Sequence, residues 1–239
     1  MTTVGNPGRA SARRRPKTPA ELARIIDYTL LRADATQQDI DKLCARAISH
    51  NFACVTINPV WTAYCARRLS DAPVGVNPVI GFPLGANTAH VKLEEAREAL
   101  KHGATELDVV MNIGAFKSGF PQYTEQEIAA IVKASEGAPV KVILETSRLS
   151  TGEKRQACEL CVRAGAAFVK TSTGFAGVGC TAQDVALMRK AVGPKVGVKA
   201  AGGIRTLRQA LMMIEAGANR IGASKAEVIL KEMRLHGRT

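Results

Sequence analysis

Residues 140–173 read VKVILETSRLSTGEKRQACELCVRAGAAFVKTST, and they contain one complete repeat of the pattern that decides the fold. The stretch begins with an apolar run at 140–146, continues with a helical pattern that starts at Thr151, and returns to an apolar run at 168–173. Continuous apolar runs are typical of strands that are buried on both faces, as in parallel sheets. The stretch therefore predicts a strand, a helix and a second, parallel strand.

The same alternation of strand and helix continues along the chain. Strands are predicted at 26–30, 52–58, 76–82, 107–112, 140–146, 168–173, 196–201 and 220–224. Capping side chains predict helices that start at Thr36, near Asn87, and at Thr124, Thr151, Thr181 and Thr206. Eight such units in roughly 220 residues favour one (β/α)8 TIM barrel. A doubly wound sheet is the alternative, but it usually carries a GxGxxG fingerprint, which is absent here.

The composition fits one large domain with a basic extension. The 239 residues are 46 % apolar and carry a net charge of +12. Residues 1–19 contain basic side chains and prolines but no acid, so we predict a disordered tail there and a barrel domain at 20–239. A transit peptide or a nucleic-acid-binding arm are less favoured interpretations of this tail. No apolar run is long enough for a membrane span, so no membrane association is predicted.

Cysteine and histidine spacing predicts neither a disulfide scaffold nor a metal centre. The six cysteines are scattered, which is typical of reduced thiols in a cytoplasmic protein. Cys158 and Cys161 form the one close pair, and their helical context favours two buried thiols over a redox or zinc site. The four histidines have no ligand spacing, so we expect no metal and no cofactor.

Charged residues interrupt three of the predicted strands. Asp108 lies in the fourth strand, where the period of two places it on one face with Asn112. Lys170 and Lys199 lie in the sixth and seventh strands, which are neighbours in a barrel. Two lysines at one barrel mouth would lower each other's pKa, and a neutral lysine can attack a carbonyl. One acid and two lysines therefore predict Schiff-base chemistry, although either lysine alone could simply pair with an acid.

Small residues follow the last two predicted strands, where many barrel enzymes bind phosphate. They are Gly202 and Gly203 after the seventh strand, and Gly222 and Ser224 in the eighth, with Arg205 and Lys225 beside them. Glycine lets the backbone approach an anion closely, and a helix N-terminus offers free N–H groups. We therefore predict phosphate binding here; the alternative is that these glycines only form turns and helix caps.

Seven ordered segments of the chain resemble the class I deoxyribose-phosphate aldolases. Between about residues 26 and 229 they read IDYTLL, GFPLGANTAHVKLEEAREAL, GATELDVVMNIGAFKSG, VKVILETS, FVKTSTGF, GVKAAGGIRT and RIGAS. The resemblance implies a (β/α)8 barrel that reversibly cleaves 2-deoxy-D-ribose 5-phosphate to D-glyceraldehyde 3-phosphate and acetaldehyde. It also implies a homodimer that acts in deoxynucleoside catabolism in the cytoplasm, without a specific nucleic-acid partner.

The resemblance also implies roles for individual residues. Lys170 matches the lysine that forms the Schiff base, Lys199 matches the lysine that depresses its pKa, and Asp108 matches the aspartate of the proton relay. Phosphate contacts are implied for Gly202, Gly203 and Ser224, and substrate-pocket positions for Asp27 and Thr173.

The chain departs from the family pattern at three places. Tyr28 stands where histidine is frequent, Lys225 stands where a small or hydroxyl residue is frequent, and the sequence ends HGRT without a tyrosine-bearing tail. These differences leave the implied reaction class unchanged. The rival functions are a lysine aldolase or transaldolase for another phosphorylated sugar, a nucleic-acid-binding protein that depends on the basic tail, and an inactive barrel.

Overall fold

Eight parallel strands close into a barrel, in a computed structural model that describes residues 15–236. The strands are β1 (Ile26–Leu30), β2 (Cys54–Ile57), β3 (Gly75–Ile80), β4 (Leu107–Val110), β5 (Val140–Ile143), β6 (Phe168–Lys170), β7 (Gly197–Ala201) and β8 (Arg220–Ala223). Each strand pairs with the next, and β8 pairs with β1. The predicted (β/α)8 TIM barrel is confirmed, with each of its strands in the predicted place.

A helix follows every strand and covers the outside of the barrel. The helices are α1 (Pro19–Ala23), α2 (Gln37–His50), α3 (Thr62–Arg68), α4 (Ala89–Lys101), α5 (Ile113–Lys117), α6 (Pro121–Ala134), α7 (Thr151–Arg163), α8 (Ala182–Val192), α9 (Leu207–Glu215) and α10 (Ala226–His236). Two of them, α1 and α5, are additional to the repeat. None of the helices in the described part of the chain is long and apolar enough to cross a membrane.

Side-chain caps set most of the helix starts. Thr36, Thr181 and Thr206 are the predicted caps of α2, α8 and α9, and each accepts a hydrogen bond from a backbone N–H in the first turn. The prediction at Thr124 is wrong, because α6 begins at Pro121 and Thr124 is buried inside it. Proline has a helical φ and lacks an N–H that would need a partner, so it starts the helix without a hydroxyl cap.

The fold begins earlier than the predicted domain boundary at residue 20. Thr18 caps α1 by accepting from the Glu21 N–H, and Arg15 forms an ion pair with Glu215 at 3.5 Å. The last five residues of the predicted tail therefore belong to the folded domain. The tail predicted for residues 1–14, and the chain end at 237–239, lie outside the described residues.

The outer faces of the strands are mainly apolar, whereas the inner face of each strand carries at least one polar or charged side chain. The outer faces pack against the helices through side chains that are fully buried, among them Val55, Val109, Val142, Val198 and Ile221. The inner faces hold Asp27, Thr56, Asn77, Asp108, Lys141 and Lys199, which are also fully buried. Cys158 and Cys161 are free, buried thiols on α7, as predicted.

Candidate active site

A cavity of about 610 Å³ opens at the carboxyl ends of the strands, where catalytic residues of such barrels lie. Six of the predicted site residues line it: Lys170, Thr173, Gly202, Gly203, Gly222 and Ser224. The other three, Asp27, Asp108 and Lys199, are fully buried inside the barrel. Lys170 is therefore the predicted catalytic group that a ligand in the cavity can touch.

Lys170, Lys199 and Asp108 meet in the barrel interior. Lys170 on β6 is paired in register with Lys199 on β7, so their side chains run side by side. The two Nζ atoms each lie 2.7 Å from the same oxygen, Asp108 Oδ2. The structure thus brings together the three residues that the sequence singled out, with one carboxylate oxygen shared by two amines.

Asp27 forms ion pairs with this cluster inside the barrel and does not line the cavity. Its Oδ2 lies 2.6 Å from Lys199 Nζ, and its Oδ1 lies 2.6 Å from a guanidinium nitrogen of Arg220. Burial alone would raise the pKa of Asp27, but the charges of Arg220, Lys199 and Lys141 lower it below its usual range. Asp27 therefore contacts Lys199 inside the barrel, and it is not among the residues that line the cavity.

Lys141 on β5 is a third buried lysine, which the sequence analysis did not select. Its Nζ lies 3.1 Å from Asp108 Oδ1 and 2.6 Å from Glu106 Oε2, and it donates to Asn77 Oδ1 at 3.0 Å. The signal was present in the sequence, because Lys141 interrupts an apolar strand in the same way as Lys170. Asp108 is thus held from both sides, with Oδ1 facing Lys141 and Oδ2 facing the other two lysines.

The charges inside the barrel balance without Lys170. The acids are Asp27, Glu106 and Asp108, and their cationic partners are Lys141, Lys199 and Arg220. Three negative charges therefore meet three positive charges. A proton on Lys170 would make the cluster net positive, so Lys170 is the lysine whose proton is most easily lost.

The pKa shifts follow this charge balance. Burial lowers the pKa of Lys170 to about 8, with Lys199 and Lys141 acting in the same direction and Asp108 opposing them. Burial also acts to lower the pKa of Lys199, but Asp108 and Asp27 outweigh it and the pKa is raised. The expectation that the two lysines depress each other's pKa is therefore wrong for Lys199, because this lysine contacts two carboxylates.

The pKa of Asp108 moves well below its usual range. Burial would raise this pKa, and the charges of Lys170, Lys199 and Lys141 reverse the effect. Asp108 is consequently an anion at neutral pH, and it accepts hydrogen bonds from Lys170 and Lys199.

Tight backbone packing shapes the part of the cavity that is lined by Gly202 and Gly203. Gly202 and Gly203 have positive φ angles of 99° and 79°, which favour glycine. A Cβ on Gly179 would lie 2.6 Å from the Gly202 carbonyl oxygen, so these two segments are in close contact. Gly222 leaves room for the Lys199 side chain, since a Cβ at this position would lie 3.2 Å from Lys199 Cε.

Positive charge surrounds the mouth of the cavity. Lys42, Arg205 and Lys225 line it, and among residues 15–236 no acid forms an ion pair with any of them. A ligand with a negative charge is therefore favoured at this opening.

Two sequence-based expectations about individual side chains are clarified by the structure. Tyr28, the departure from the family pattern, packs its ring 5.0 Å from that of Phe52 and donates its hydroxyl to Glu227 at 3.0 Å. It packs between the barrel and the helices and also lines the cavity. Asn112 does not share a strand face with Asp108, because β4 ends at Val110 and the Asn112 side chain caps α5 by accepting from the Ala115 N–H.

Asp27, Cys54 and Glu106 form a compact group of potential metal ligands, with ligand atoms within 4.8 Å of one another. Their oxygens already contact protein cations: Arg220 bridges Asp27 and Glu106, and Lys141 binds Glu106. The side-chain cations thus supply the positive charge that a metal would bring to such a group.

Comparison with known proteins identifies the family and agrees with the barrel fold. Residues 22–227 match the model of the DeoC/LacD family aldolases. A deoxyribose-phosphate aldolase of Halalkalibacterium halodurans is 54 % identical over 218 residues, which is 90 % of this chain and 97 % of that protein. One from Lysinibacillus sphaericus is 53 % identical over 87 % of this chain and 94 % of its own.

A solved structure shows the same architecture. The tetrameric deoxyribose phosphate aldolase from Aeropyrum pernix superimposes with a TM-score of 0.87 at 38 % identity, and the match covers 92 % of this chain and 94 % of that one. Together with the sequence matches, this similarity shows that the chain belongs to the DeoC/LacD family of aldolases.

Proposed function

We propose that this protein is a class I aldolase that reversibly cleaves 2-deoxy-D-ribose 5-phosphate to D-glyceraldehyde 3-phosphate and acetaldehyde. The observation that carries the proposal is the buried pair Lys170 and Lys199 on one oxygen of Asp108, at the base of a cavity with a cationic mouth. The names of the related enzymes support the choice of substrate. Supply of this substrate from deoxynucleoside breakdown is part of the proposal.

Lys170 begins the reaction as a neutral amine. With a pKa of about 8, roughly a tenth of this lysine is unprotonated at pH 7, against less than about 0.1 % for an ordinary lysine. Its Nζ adds to the C1 aldehyde of the open-chain sugar to give a carbinolamine. Loss of water, with a proton supplied by the Asp108 and Lys199 pair, then gives the protonated imine.

The imine accepts the electron pair when the carbon–carbon bond breaks. A base removes the proton of the C3 hydroxyl, the C2–C3 bond cleaves, and D-glyceraldehyde 3-phosphate leaves with C3 as its aldehyde carbon. The two remaining carbons form an enamine on Lys170. Protonation at C2 and hydrolysis by one water release acetaldehyde and restore the lysine, so the water lost in imine formation is regained.

Asp108 and Lys199 have different parts in these proton transfers. Asp108 contacts Lys170 Nζ directly and can move a proton to or from the reacting nitrogen. Lys199 is fully buried and contacts Asp108 and Asp27, so it acts on Lys170 through its charge and through the shared carboxylate.

The phosphate of the substrate is proposed to lie at the opposite end of the cavity. Gly202, Gly203 and Ser224 supply close backbone approach beside the start of α10, and Gly222 lies between them and the lysine cluster. Arg205 and Lys225 at the mouth add positive charge. Binding the phosphate there would orient the aldehyde toward Lys170 and contribute binding energy remote from the reacting carbon.

Borohydride trapping tests the proposal directly. The protein is incubated with acetaldehyde, reduced with borohydride, digested and analysed by peptide mass spectrometry. We expect a reduced two-carbon adduct on Lys170, which neither a nucleic-acid-binding protein nor an inactive barrel would form. A panel of phosphorylated aldoses then separates this enzyme from lysine aldolases for other sugars, and preferential cleavage of a different sugar would contradict the proposed substrate.

The proposal includes a homodimer in the cytoplasm, as in the resembling family. Exposed apolar side chains near the starts of α4 and α6 support an association surface. They are Leu84, Phe120 and Tyr123. Light scattering of the purified protein measures the mass of the assembly in solution. A monomeric mass of about 25.4 kDa at working concentration would contradict the dimer.

A further inference from the structure

Glu145 combines two costly features at the end of β5. Its backbone is left-handed, with φ 54° and ψ 65°, which is an uncommon conformation for a residue other than glycine. The residue is only 3 % exposed, so the carboxyl group is almost completely removed from water. Strained backbone and buried polar groups of this kind concentrate at functional sites.

The carboxyl group of Glu145 is held by one residue of the cavity. Glu145 Oε2 accepts hydrogen bonds from the backbone N–H of Thr173, at 3.1 Å, and from the Thr173 hydroxyl. Oε1 is buried and has no hydrogen-bond partner in the described structure. Within residues 15–236, Glu145 also forms no ion pair, in contrast to Asp27 and Asp108.

The hydrogen bonds of Thr173 leave its hydroxyl with one unused lone pair. A hydroxyl has one hydrogen to donate and two lone pairs to accept. The hydrogen is given to Glu145, and one lone pair accepts the N–H of Phe175 at 3.1 Å. The remaining lone pair can only accept a hydrogen bond, and Thr173 lines the cavity three residues after Lys170.

We propose that Glu145 is a positioning residue that keeps the Thr173 hydroxyl as an obligate acceptor for a secondary hydroxyl of the substrate. Thr173 lines the same cavity as Lys170, which takes the aldehyde, and as the glycines proposed to bind the phosphate. The secondary hydroxyls of the substrate lie on C3 and C4, between the aldehyde and the phosphate, and the one assigned to Thr173 is that on C4, which is also present in the free acceptor aldehyde. Because this inference rests on the proposed function, its test must report on the two separately.

The experiment compares two acceptor aldehydes in the condensation direction, with acetaldehyde as the donor. D-Glyceraldehyde 3-phosphate carries the hydroxyl, whereas 3-oxopropyl phosphate lacks it and is otherwise the same length. The quantity compared is kcat/KM for D-glyceraldehyde 3-phosphate divided by kcat/KM for 3-oxopropyl phosphate. The Glu145→Ala variant should lower this ratio about tenfold. Glu145→Gln should restore most of the ratio, because its amide oxygen can accept the same hydroxyl proton.

Borohydride trapping of acetaldehyde on Lys170 provides the internal check. Acetaldehyde has no hydroxyl to be read, so the adduct should form in Glu145→Ala within about twofold of the unmodified enzyme. Glu136→Ala is the matched control, because Glu136 is also a glutamate with positive φ, at 49°, but is exposed and does not line the cavity. This control should change neither the ratio nor the adduct.

An equal loss of activity toward both acceptors would make Glu145 a structural residue and overturn the inference, as would an unchanged ratio. If Glu145→Ala does not fold, Thr173→Val tests the same acceptor while keeping the carboxyl group. It should lower the ratio while Thr173→Ser preserves it, and a retained ratio in Thr173→Val overturns the inference. Failure of the unmodified enzyme to form the adduct would instead overturn the proposed function, and the inference with it.

Discussion

The two faces of the eight strands make different interactions: apolar packing on the outside of the barrel and buried ion pairs on the inside. The outer face, which carries side chains such as Val109, Val198 and Ile221, packs against the helices mainly through apolar side chains. The inner face places charged groups such as Asp108 and Lys199 side by side with no exposure to water. Buried ion pairs of this kind usually contribute little net stability, since desolvation offsets most of the Coulomb attraction.

The difference shows where stability and chemistry reside in this molecule. Removing a methyl group from the outer layer creates a small cavity, a local effect that leaves charge unchanged. Removing one charge from the inner layer leaves its partners uncompensated and shifts the pKa of Lys170. The inner face is therefore a coupled electrostatic unit, whereas the outer face is a set of nearly independent contacts.

The largest effect is expected when Lys170, the proposed nucleophile, is removed. Lys170→Leu should lower kcat/KM for deoxyribose 5-phosphate by about 10⁴-fold or more and eliminate the borohydride adduct, with little loss of secondary structure. Steady-state kinetics and circular dichroism provide the measurements. If this variant retained most of the activity, Lys170 would not be the nucleophile.

A large but partial loss is expected at Lys199. Lys199→Leu removes a cation that lowers the pKa of Lys170 and leaves Asp27 and Asp108 with less compensation. The pKa of Lys170 should therefore rise, and the ascending, acid-side limb of the pH–rate profile should move to higher pH. We expect about a 10²-fold loss of activity at pH 7 with residual adduct formation.

The control for this prediction is Lys199→Arg, which keeps the charge and should keep the limb near its original pH. A limb that stays in place in Lys199→Leu would show that the two lysines are not electrostatically coupled.

Lys141 and Lys92 provide a matched pair for the comparison of the two faces. Both are fully buried and form ion pairs: Lys141 with Asp108 inside the barrel, and Lys92 with Glu127, at 2.7 Å, between α4 and α6. Lys92→Met leaves Glu127 buried without this ion-pair partner, and Lys141→Met removes one of the cations that compensate Asp108 and Glu106. Each substitution should therefore lower the free energy of unfolding by about 3 kcal/mol. Only Lys141→Met should also raise the pKa of Lys170, with about a tenfold loss of activity at pH 7.

Chemical denaturation measures the free energy of unfolding of both variants, and the pH–rate profile reports the pKa of Lys170 in each. If Lys92→Met moved the pH–rate profile as far as Lys141→Met, the inner face would not be electrically distinct from the helix layer.

The smallest effect is expected at the outer face. Ile221→Val removes one buried methylene group from β8 and should lower the free energy of unfolding by about 1 kcal/mol. Urea denaturation measures this change, and the pH–rate profile should coincide with that of the unmodified enzyme. A displaced profile would show that packing on the outer face reaches the lysines.

Much of this arrangement could be predicted from the sequence. Apolar runs separated by helical patterns predicted all eight strands, and a charged residue in an apolar strand marked Asp108, Lys170 and Lys199. The same rule applied to Lys141 would have found it. The pairing of Asp27 with Lys199 could not be seen, since it depends on which strand end each side chain faces across the closed barrel.

The contribution of Glu145 depends on information that periodicity does not contain. Its left-handed backbone and its contact with Thr173 arise from the turn after β5, for which the flanking residues contain no glycine or proline signal. Helix starts show the same limit: Thr124 was a plausible cap, but Pro121 begins the helix earlier. Chemical type and strand periodicity are readable from sequence, whereas turn conformation is set by tertiary contacts.

The pH dependence of adduct formation at Lys170 tests the central claim most directly. The rate of borohydride-trapped acetaldehyde adduct formation is measured by mass spectrometry of the Lys170 peptide from pH 6 to pH 11. The charge-balanced interior predicts a rate that rises with pH and is half-maximal near pH 8, the pKa of Lys170. A rate that keeps rising to the ordinary lysine pKa of about 10.4 would contradict it.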